Sequence, residues 1–370
     1  MKVLLGDLVN IKTGKLDANQ ADENGKYPFF TCSKEISKIN SYSYDCECVL
    51  IAGNGDLNVK YYNGKFEAYQ RTYILTSTDV NTLSNKYIYW FMNRYIVQLR
   101  NQSIGGVIKY IKLGDLTNIS LNLPTLDVQK RIVGIFESID RLIGTKVFIL
   151  QGLDDLIKSR FVEMFGELNH NPLYPIVSFK NLIIGSPMNG FFASKELYDN
   201  NGKVNLVGVK EIVGQLYTKI SDTPKLDVDI SILEKYLIKY GDMLFCRSSL
   251  VQSGIAKASV VPKLNNKLCI FECHLIKVKL DQKLCIPEFM QVQSEQNYFR
   301  NQVIKNSKTS TMTTISQQGI VDTKVLLPPI DIQLEFTTFL SQINKLKSDV
   351  QKSIDETRLL MDSLMQEYFG

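Results

Sequence analysis

Histidine is scarce in this 370-residue sequence, in which only His170 and His274 occur. Two histidines leave little for acid–base or triad catalysis, in which histidine is the commonest participant. The Gly-x-x-x-x-Gly-Lys-Ser/Thr loop that cradles nucleotide phosphates is also missing, so ATP-driven chemistry is not indicated. These absences predict a protein that binds and does not itself catalyse a reaction.

Long apolar runs are missing too, since no 18 consecutive apolar residues occur and the first residues lack a run of signal-peptide length. We therefore expect a cytoplasmic protein. Seven cysteines, an odd number at irregular spacing, argue against a disulfide framework in that compartment. Zinc on Cys269, Cys273 and His274, or on Cys46 and Cys48, is the alternative. Structural zinc needs two well-spaced ligand pairs, so we expect reduced cysteines and no metal.

An internal repeat organises the chain. Residues 123–166 align without a gap to residues 327–370, at a fixed offset of 204, and 11 of the 44 positions are identical. Each copy opens on Leu-Pro, keeps one apolar phase and closes on Phe-Gly. Proline is tolerated in the first turn of a helix and glycine suits its end. Each copy therefore predicts a helix, and about 40 residues at 1.5 Å each would span roughly 60 Å.

The two predicted helices have apolar residues at steps of three and four, which is typical of a narrow contact seam. We expect them to pack antiparallel as a coiled-coil spacer with the globular domains at its opposite ends. The alternative is that each helix packs on its own domain. The residues expected at the interface between the helices, or with a partner, are Ile132, Ile135, Ile139, Leu142, Leu153, Leu156, Phe336, Phe339, Ile343, Leu346, Val350 and Leu360.

The regions before the two copies are predicted to be similar domains. Their boundaries are expected at residues 1–122 and 167–326, with the spacer helices at 123–166 and 327–370. The offset between matching segments grows from 174 to 204, so the second region has 30 more residues, and such insertions accumulate in loops that bind. Short β-rich runs and one helix in each, at 87–102 and 287–306, indicate an α+β class with a pseudo-two-fold repeat.

Positive charge is concentrated in these two regions. Residues 1–123 carry a net charge of +3 and residues 172–326 carry +6, whereas 124–171 and 327–370 carry −1 and −3. Cations placed in this way suit DNA phosphates, and Arg, Asn and Gln can read base edges. A solvated loop is the alternative for any single residue. The expected DNA contacts are Lys12, Lys15, Asn54, Lys60, Tyr69, Arg71, Ser103, Lys109, Lys195, Arg247, Ser248, Gln252, Ser253, Ser307, Lys308 and Thr309.

A catalytic interpretation is the second hypothesis. Residues 171–174, Asn-Pro-Leu-Tyr, are similar to the Asn-Pro-Pro-Tyr motif of amino-methylating DNA methyltransferases. No glycine-rich cofactor loop precedes them, so a helix-to-strand connection explains them better. A methyltransferase or nuclease with degenerate motifs, and a coiled-coil scaffold with no nucleic-acid role, are the alternatives to a DNA-binding protein.

The repeat also resembles a known family. Leu-Pro-Thr-Leu-Asp-Val-Gln at 123–129 and Leu-Pro-Pro-Ile-Asp-Ile-Gln at 327–333 resemble the helix starts of type I restriction–modification specificity (S) subunits, where the usual pattern is Leu-Pro-Pro-Leu-x-Glu-Gln. Residues 5–14 and 240–248 resemble segments of target recognition domains. The chain departs from the pattern at the family's Glu, which is Val128 in one copy and Ile332 in the other.

The resemblance implies a function and partners. Each recognition domain would read one half of a bipartite double-stranded DNA site, and the helices would set the unread spacer. Two methylation subunits, which would hold S-adenosylmethionine, and restriction motor–nuclease subunits would supply the chemistry in a host-defence system. The chain itself would bind no cofactor and no membrane.

Overall fold

The computed structural model describes residues 2–105, 108–199 and 201–370, without the side chain of Lys195. Internal contacts divide the chain into two units, of which the first comprises residues 1–151 with 348–370 and the second residues 152–347. Each unit thus contains one globular region and a part of both long helices. In the described residues, no helix is both long enough and apolar enough to cross a membrane.

The first unit is built on a six-stranded sheet in the order β2-β7-β5-β6-β3-β4, and a separate antiparallel pair joins β1 to β8. Its elements are β1 (Lys2–Leu4), β2 (Val9–Thr13), β3 (Tyr27–Phe30), β4 (Ser37–Ile39), β5 (Tyr44–Ala52), β6 (Val59–Ala68), β7 (Thr72–Ser77), α1 (Asn85–Gln102), α2 (Leu113–Thr117), β8 (Ser120–Asn122) and the start of α3 (Leu126–Phe165). The end of β5 lies in the middle of the sheet and is apolar and fully buried, because its alternate residues pack in hydrophobic clusters on both faces.

The core of the first unit lies between the sheet, α1 and the long helices. Trp90 of α1 stacks on Phe136 of α3 with ring centroids 5.2 Å apart, and Phe136 stacks on Phe369 at 5.6 Å. Buried aromatic side chains of this size contribute much of a core's stability. The long helices are therefore fixed to the globular region of the first unit by aromatic contacts.

The second unit contains more and smaller sheets. Its four-stranded sheet has the order β12-β19-β15-β17, and its three-stranded sheets have the orders β14-β13-β18 and β16-β21-β20. Its elements are β9 (Gly166–Glu167), β10 (Asn171–Pro172), β11 (Ile176–Ser178), β12 (Met188–Asn189), β13 (Val204–Val207), β14 (Lys225–Leu226), α4 (Ile230–Tyr236), β15 (Met243–Cys246), β16 (Ser248–Ser249), β17 (Ala258–Val260), β18 (Leu268–Phe271), β19 (Leu275–Val278), α5 (Pro287–Glu295), α6 (Asn297–Lys305), β20 (Lys308–Thr309), β21 (Thr313–Thr314), α7 (Gln317–Val321), β22 (Lys324–Leu326) and the first part of α8 (Ile330–Phe369).

An aromatic cluster joins the long helices to the second unit as well. Phe165 of α3 lies 5.0 Å from Phe289 of α5 and 5.3 Å from Phe336 of α8, measured between ring centroids. All three side chains are fully buried. The residue after α3, Gly166, has φ of +78°, which L side chains rarely adopt, so glycine is the suitable residue for this helix end.

The fold class predicted from the sequence, α+β with two long repeated helices, is confirmed, and the helices run from 126 to 165 and from 330 to 369. Within each unit the two helix segments are antiparallel. In the first, Lys146 donates hydrogen bonds to Ser353 Oγ and Thr357 Oγ1, at 2.8 and 2.7 Å. In the second, Lys347 pairs with Asp154 at 2.5 Å.

The seam is narrower than the apolar repeat suggests. Ile132, Ile139, Phe336 and Ile343 are buried, and Ile135, Leu153, Phe339 and Val350 are half-buried. Leu142, Leu156, Leu346 and Leu360 are each about half exposed. For these four residues, a contact with a partner protein stays a prediction.

One helix prediction was wrong, because residues 287–306 form two helices. Gln296 is extended there, with φ −70° and ψ 145°, and it separates α5 from α6.

Candidate nucleic-acid interface

In the first unit, four loops meet where β2 and β5 end and β7 begins in the large sheet. The N–H of Gly53 donates to the Arg71 carbonyl at 2.8 Å, and the N–H of Gly55 donates to the Lys109 carbonyl at 2.9 Å. The N–H of Lys15 donates to the carbonyl of Ala68 at 3.2 Å. Backbone hydrogen bonds thus bring together residues 14–17, 53–58 and 68–72 and, of the fourth loop, residues 104–105 and 108–111. We call these four segments the first loop cluster.

Five of the predicted DNA contacts in this unit lie in the first loop cluster with differing exposure. Lys15, Arg71 and Lys109 are exposed, whereas Asn54 and Tyr69 are half-buried. Their side chains combine cations with groups that can read bases or stack on them. The cluster can therefore both neutralise phosphates and contact base edges.

The three remaining residues of that prediction have other surroundings. Lys12 is exposed within β2, where its backbone pairs with Ile74. Lys60 donates to the Ser33 carbonyl at 2.6 Å and to Asn58 Oδ1, and burial lowers its pKa. The hydroxyl of Ser103 donates to the carbonyl of Arg100 at 2.7 Å. Lys60 and Ser103 thus hold neighbouring loops in place.

The second unit gathers its predicted contacts around the small sheet β16-β21-β20. Ser248 and Lys308 both pair with Thr314, one on each side of it, and Thr309 pairs with Thr313. Gln252 and Ser253 follow in an exposed 3-10 turn at 252–254, and Ser307 donates its hydroxyl proton to the Ile304 carbonyl at 2.7 Å. We call residues 247–257 and 305–317 the second loop cluster. Lys195, also predicted to contact DNA, has a side chain that lies outside the described residues.

Arg247 lies where the second loop cluster meets a cleft of about 640 Å³. Its guanidinium donates to the Cys273 carbonyl at 3.2 Å, which orients the half-buried side chain. The cleft is also lined by Lys180, Asn189 and Gln317, and the Gln317 amide faces the backbone of Pro187 and Asn189. Cations and amides on a concave surface suit a nucleic-acid backbone and base edges.

Two helix arginines, one in each unit, support these loops. Arg100 donates to the carbonyl of Leu57 at 2.5 Å and pairs with Asp56 at 3.3 Å. Arg300 donates to the carbonyls of Ser253, at 3.1 Å, and of Ile255. Burial lowers the pKa of Arg300. In both units, then, a helix arginine fixes the loop that follows a central strand.

A second pair of equivalent residues joins each globular region to its long helix. Gln129 is fully buried, accepts the N–H of Ser84 at 3.0 Å and donates to the carbonyls of Thr82 and Pro124 at 2.9 and 3.0 Å. Ser84 directly precedes α1, so this side chain connects the start of α1 to the start of α3.

Gln333 makes the same three bonds in the second unit. It accepts the N–H of Ile286 at 2.9 Å and donates to the carbonyls of Leu284 and Pro328 at 2.9 and 2.8 Å. Ile286 directly precedes α5. The two junctions therefore place the long helices in the same way on both regions. The identity of this polar residue in the two copies was the sequence signal that could have revealed them.

Metal chemistry finds no support in the described part of the chain. Among those residues, no three His, Cys, Asp or Glu side chains come close enough to hold an ion. Burial raises the pKa of Cys269 to about 11, and it raises the pKa of Cys273 as well. Residues 171–172 of the Asn-Pro-Leu-Tyr sequence pair with residues 166–167 in a short antiparallel turn.

Comparison with known proteins identifies relatives of this chain. Residues 1–152 match the family model of the type I restriction modification DNA specificity domain. The EcoDI type I restriction enzyme specificity subunit of Escherichia coli is 44% identical over 142 residues, which cover 38% of this chain and 31% of that protein. The EcoKI specificity subunit of Escherichia coli strain K12 is 21% identical over 301 residues, which cover 74% and 61%. The chain thus spans between about a third and three fifths of the length of these relatives.

Solved structures extend the likeness to the whole chain. The crystal structure of a type I restriction–modification S subunit from M. genitalium has a TM-score of 0.61 and 12% identity, covering 100% of this chain and 96% of that one. A chain from a study of complex assembly and conformational transition in a type I system has a TM-score of 0.56 and 14% identity, covering 100% and 97%. At such identities the likeness shows the fold. Residues 1–152 are thus similar in sequence to the type I restriction modification DNA specificity domain, and the fold of the whole chain is similar to that of solved type I S subunits.

Proposed function

We propose that this chain is the DNA-reading subunit of a type I restriction–modification enzyme. Each loop cluster binds one half of a bipartite double-stranded site, and the DNA between the halves is not read. The observation that best supports this proposal is that the two units are built alike. Each unit has the same glutamine junction and the same arginine-braced loop, and the two regions carry net charges of +3 and +6.

The predicted site residues take distinct roles in this proposal. Arg247, Arg71 and Asn54 read base edges, because their side chains can form paired hydrogen bonds with bases. Lys15, Lys109 and Lys308 and the hydroxyls beside them hold phosphates and fix the register of the protein on the duplex. The two loop clusters have different sequences and surfaces, so the two half-sites differ.

The chemistry belongs to partner subunits in this account. Two methylation subunits carry S-adenosylmethionine and modify an adenine in each half-site, and motor–nuclease subunits join them for restriction. The exposed Leu142, Leu156, Leu346 and Leu360 on the long helices are the proposed contacts with the methylation subunits. The proposed domain boundaries are residues 122/123, 166/167 and 326/327.

Co-expression with the methylation subunits tests the proposal. The purified complex should methylate adenine in one bipartite motif, and its binding should weaken steeply with salt, as phosphate contacts require. The chain without its partners should transfer no methyl group. Methyl transfer by the isolated chain, or binding that salt does not affect, would refute the proposal.

A further inference from the structure

One apolar side chain of the second loop cluster is almost fully exposed to solvent. Leu250, which follows β16, is 83% exposed, more than any other large apolar side chain in the described residues, and Val251 beside it is 61% exposed. Exposure of this extent is unfavourable for leucine in water, by about 1.5–3 kcal/mol relative to burial. Neither residue contributes to a hydrophobic core of the second unit.

The loop that carries Leu250 is firmly braced. Ser248 and Ser249 pair with Thr314 and Thr313. The N–H of Val251 donates to Ser249 Oγ at 3.2 Å, and the N–H of Gly254 donates to the Val251 carbonyl at 3.0 Å. The buried guanidinium of Arg300 then holds the carbonyl of Ser253. The backbone therefore presents Leu250 in a fixed position.

The surroundings of Leu250 suit DNA better than a protein partner. Protein-binding surfaces have a continuous apolar centre, whereas the residues that flank Leu250 and Val251 in the sequence are polar, namely Ser248, Ser249, Gln252 and Ser253. Residues 247–257 and 305–317 contain no Asp or Glu, and Arg247 and Lys308 lie in the same cluster. Cations at the rim and an apolar tip match the phosphates and the base stack of a duplex.

We propose that Leu250, supported by Val251, inserts between base pairs of the second half-site and opens the stack there. This inference rests on the proposed function and deepens it, because it assigns a distortion of the DNA to one half-site. The loop after β5 is its counterpart in the first unit, and Leu57 of that loop is fully buried. The first half-site is therefore read without such a wedge from this loop.

Fluorescence of 2-aminopurine measures the stack directly. The target motif is first identified by methylation mapping, and the probe is then placed at each purine of the second half-site except the methylated adenine. The full chain in complex with its methylation subunits is expected to raise the fluorescence at one step. Leu250→Ala should abolish that rise and weaken binding about tenfold, the order expected from loss of one buried leucine. Leu250→Phe should keep the rise.

Ile230→Ala is the matched control, because Ile230 is 75% exposed in the same unit but lies on α4, outside the second loop cluster. It should leave fluorescence and affinity unchanged. A second half-site that is bound without any rise in fluorescence, or a rise that survives Leu250→Ala, overturns the wedge and leaves the proposed function intact. If the complex shows no sequence-specific binding, the proposed function and the wedge both fail.

Discussion

Substitution of Gln333 by leucine should destabilise the second unit strongly. The change removes three hydrogen bonds from a fully buried side chain and leaves the Leu284 and Pro328 carbonyls and the Ile286 N–H without that partner. A buried hydrogen bond contributes about 1 kcal/mol net, and an orphaned buried group costs about 1–3 kcal/mol. We expect a loss of about 3–5 kcal/mol in the free energy of unfolding. For a unit of this size that corresponds to a fall of about 10 °C in the unfolding midpoint.

Differential scanning calorimetry of the full chain measures this effect. Gln129→Leu should produce a similar loss in the first unit, because Gln129 makes the equivalent three bonds. Gln151→Leu is the matched control, since Gln151 is exposed on α3, and it should change the midpoint by no more than about 1 °C, as is usual for surface substitutions. If Gln333→Leu shifts the midpoint no more than Gln151→Leu does, the junction has no structural importance and the reasoning is refuted.

Three further predictions concern recognition. Insertion of one heptad in both helices, near Gly144 and Ser348, should lengthen the unread spacer by about three base pairs, because seven residues add about 10.5 Å and each base pair adds about 3.4 Å. Methylation mapping measures the spacer. Half-sites that change while the spacer stays constant would contradict this prediction. Arg247→Ala should impair reading of the second half-site by about 1–3 kcal/mol and leave the first unchanged, and equal losses at both halves would count against its assigned role. Arg300→Met should free the carbonyls of Ser253 and Ile255 and increase amide hydrogen exchange in residues 249–256; unchanged exchange there would mean that the brace is unimportant.

The long helices could be predicted almost to the residue, because their duplication preserved the proline, the apolar phase and the terminal glycine. Their seam was harder to predict. Lys146, Ser353 and Thr357 form hydrogen bonds at the middle of the pair, where an apolar repeat suggests leucines. Nearer the helix ends, Phe136 stacks on Trp90 of α1 and Phe165 contacts Phe289 of α5. An apolar pattern in one helix does not show which neighbour buries it.

The candidate site could be predicted as a set of loops but not as an arrangement. Basic and polar residues in Gly- and Ser-containing segments indicated Arg71, Lys109 and Arg247, yet only the fold shows which loops meet. The supporting roles of Lys60 and Arg300 depend on carbonyls distant in sequence, to which no local pattern points. Leu250 illustrates the same limit, because leucine in a sequence is more often buried than exposed.

Genome-wide mapping of adenine methylation, in cells that contain this chain and the proposed methylation subunits, tests the central claim most directly. We expect one bipartite motif with two different half-sites and a spacer of fixed length. Substitutions in the second loop cluster should change one half-site, and substitutions in the first loop cluster should change the other. A single continuous motif, or a loop substitution that alters both half-sites alike, would contradict the claim that two separate readers act in this chain.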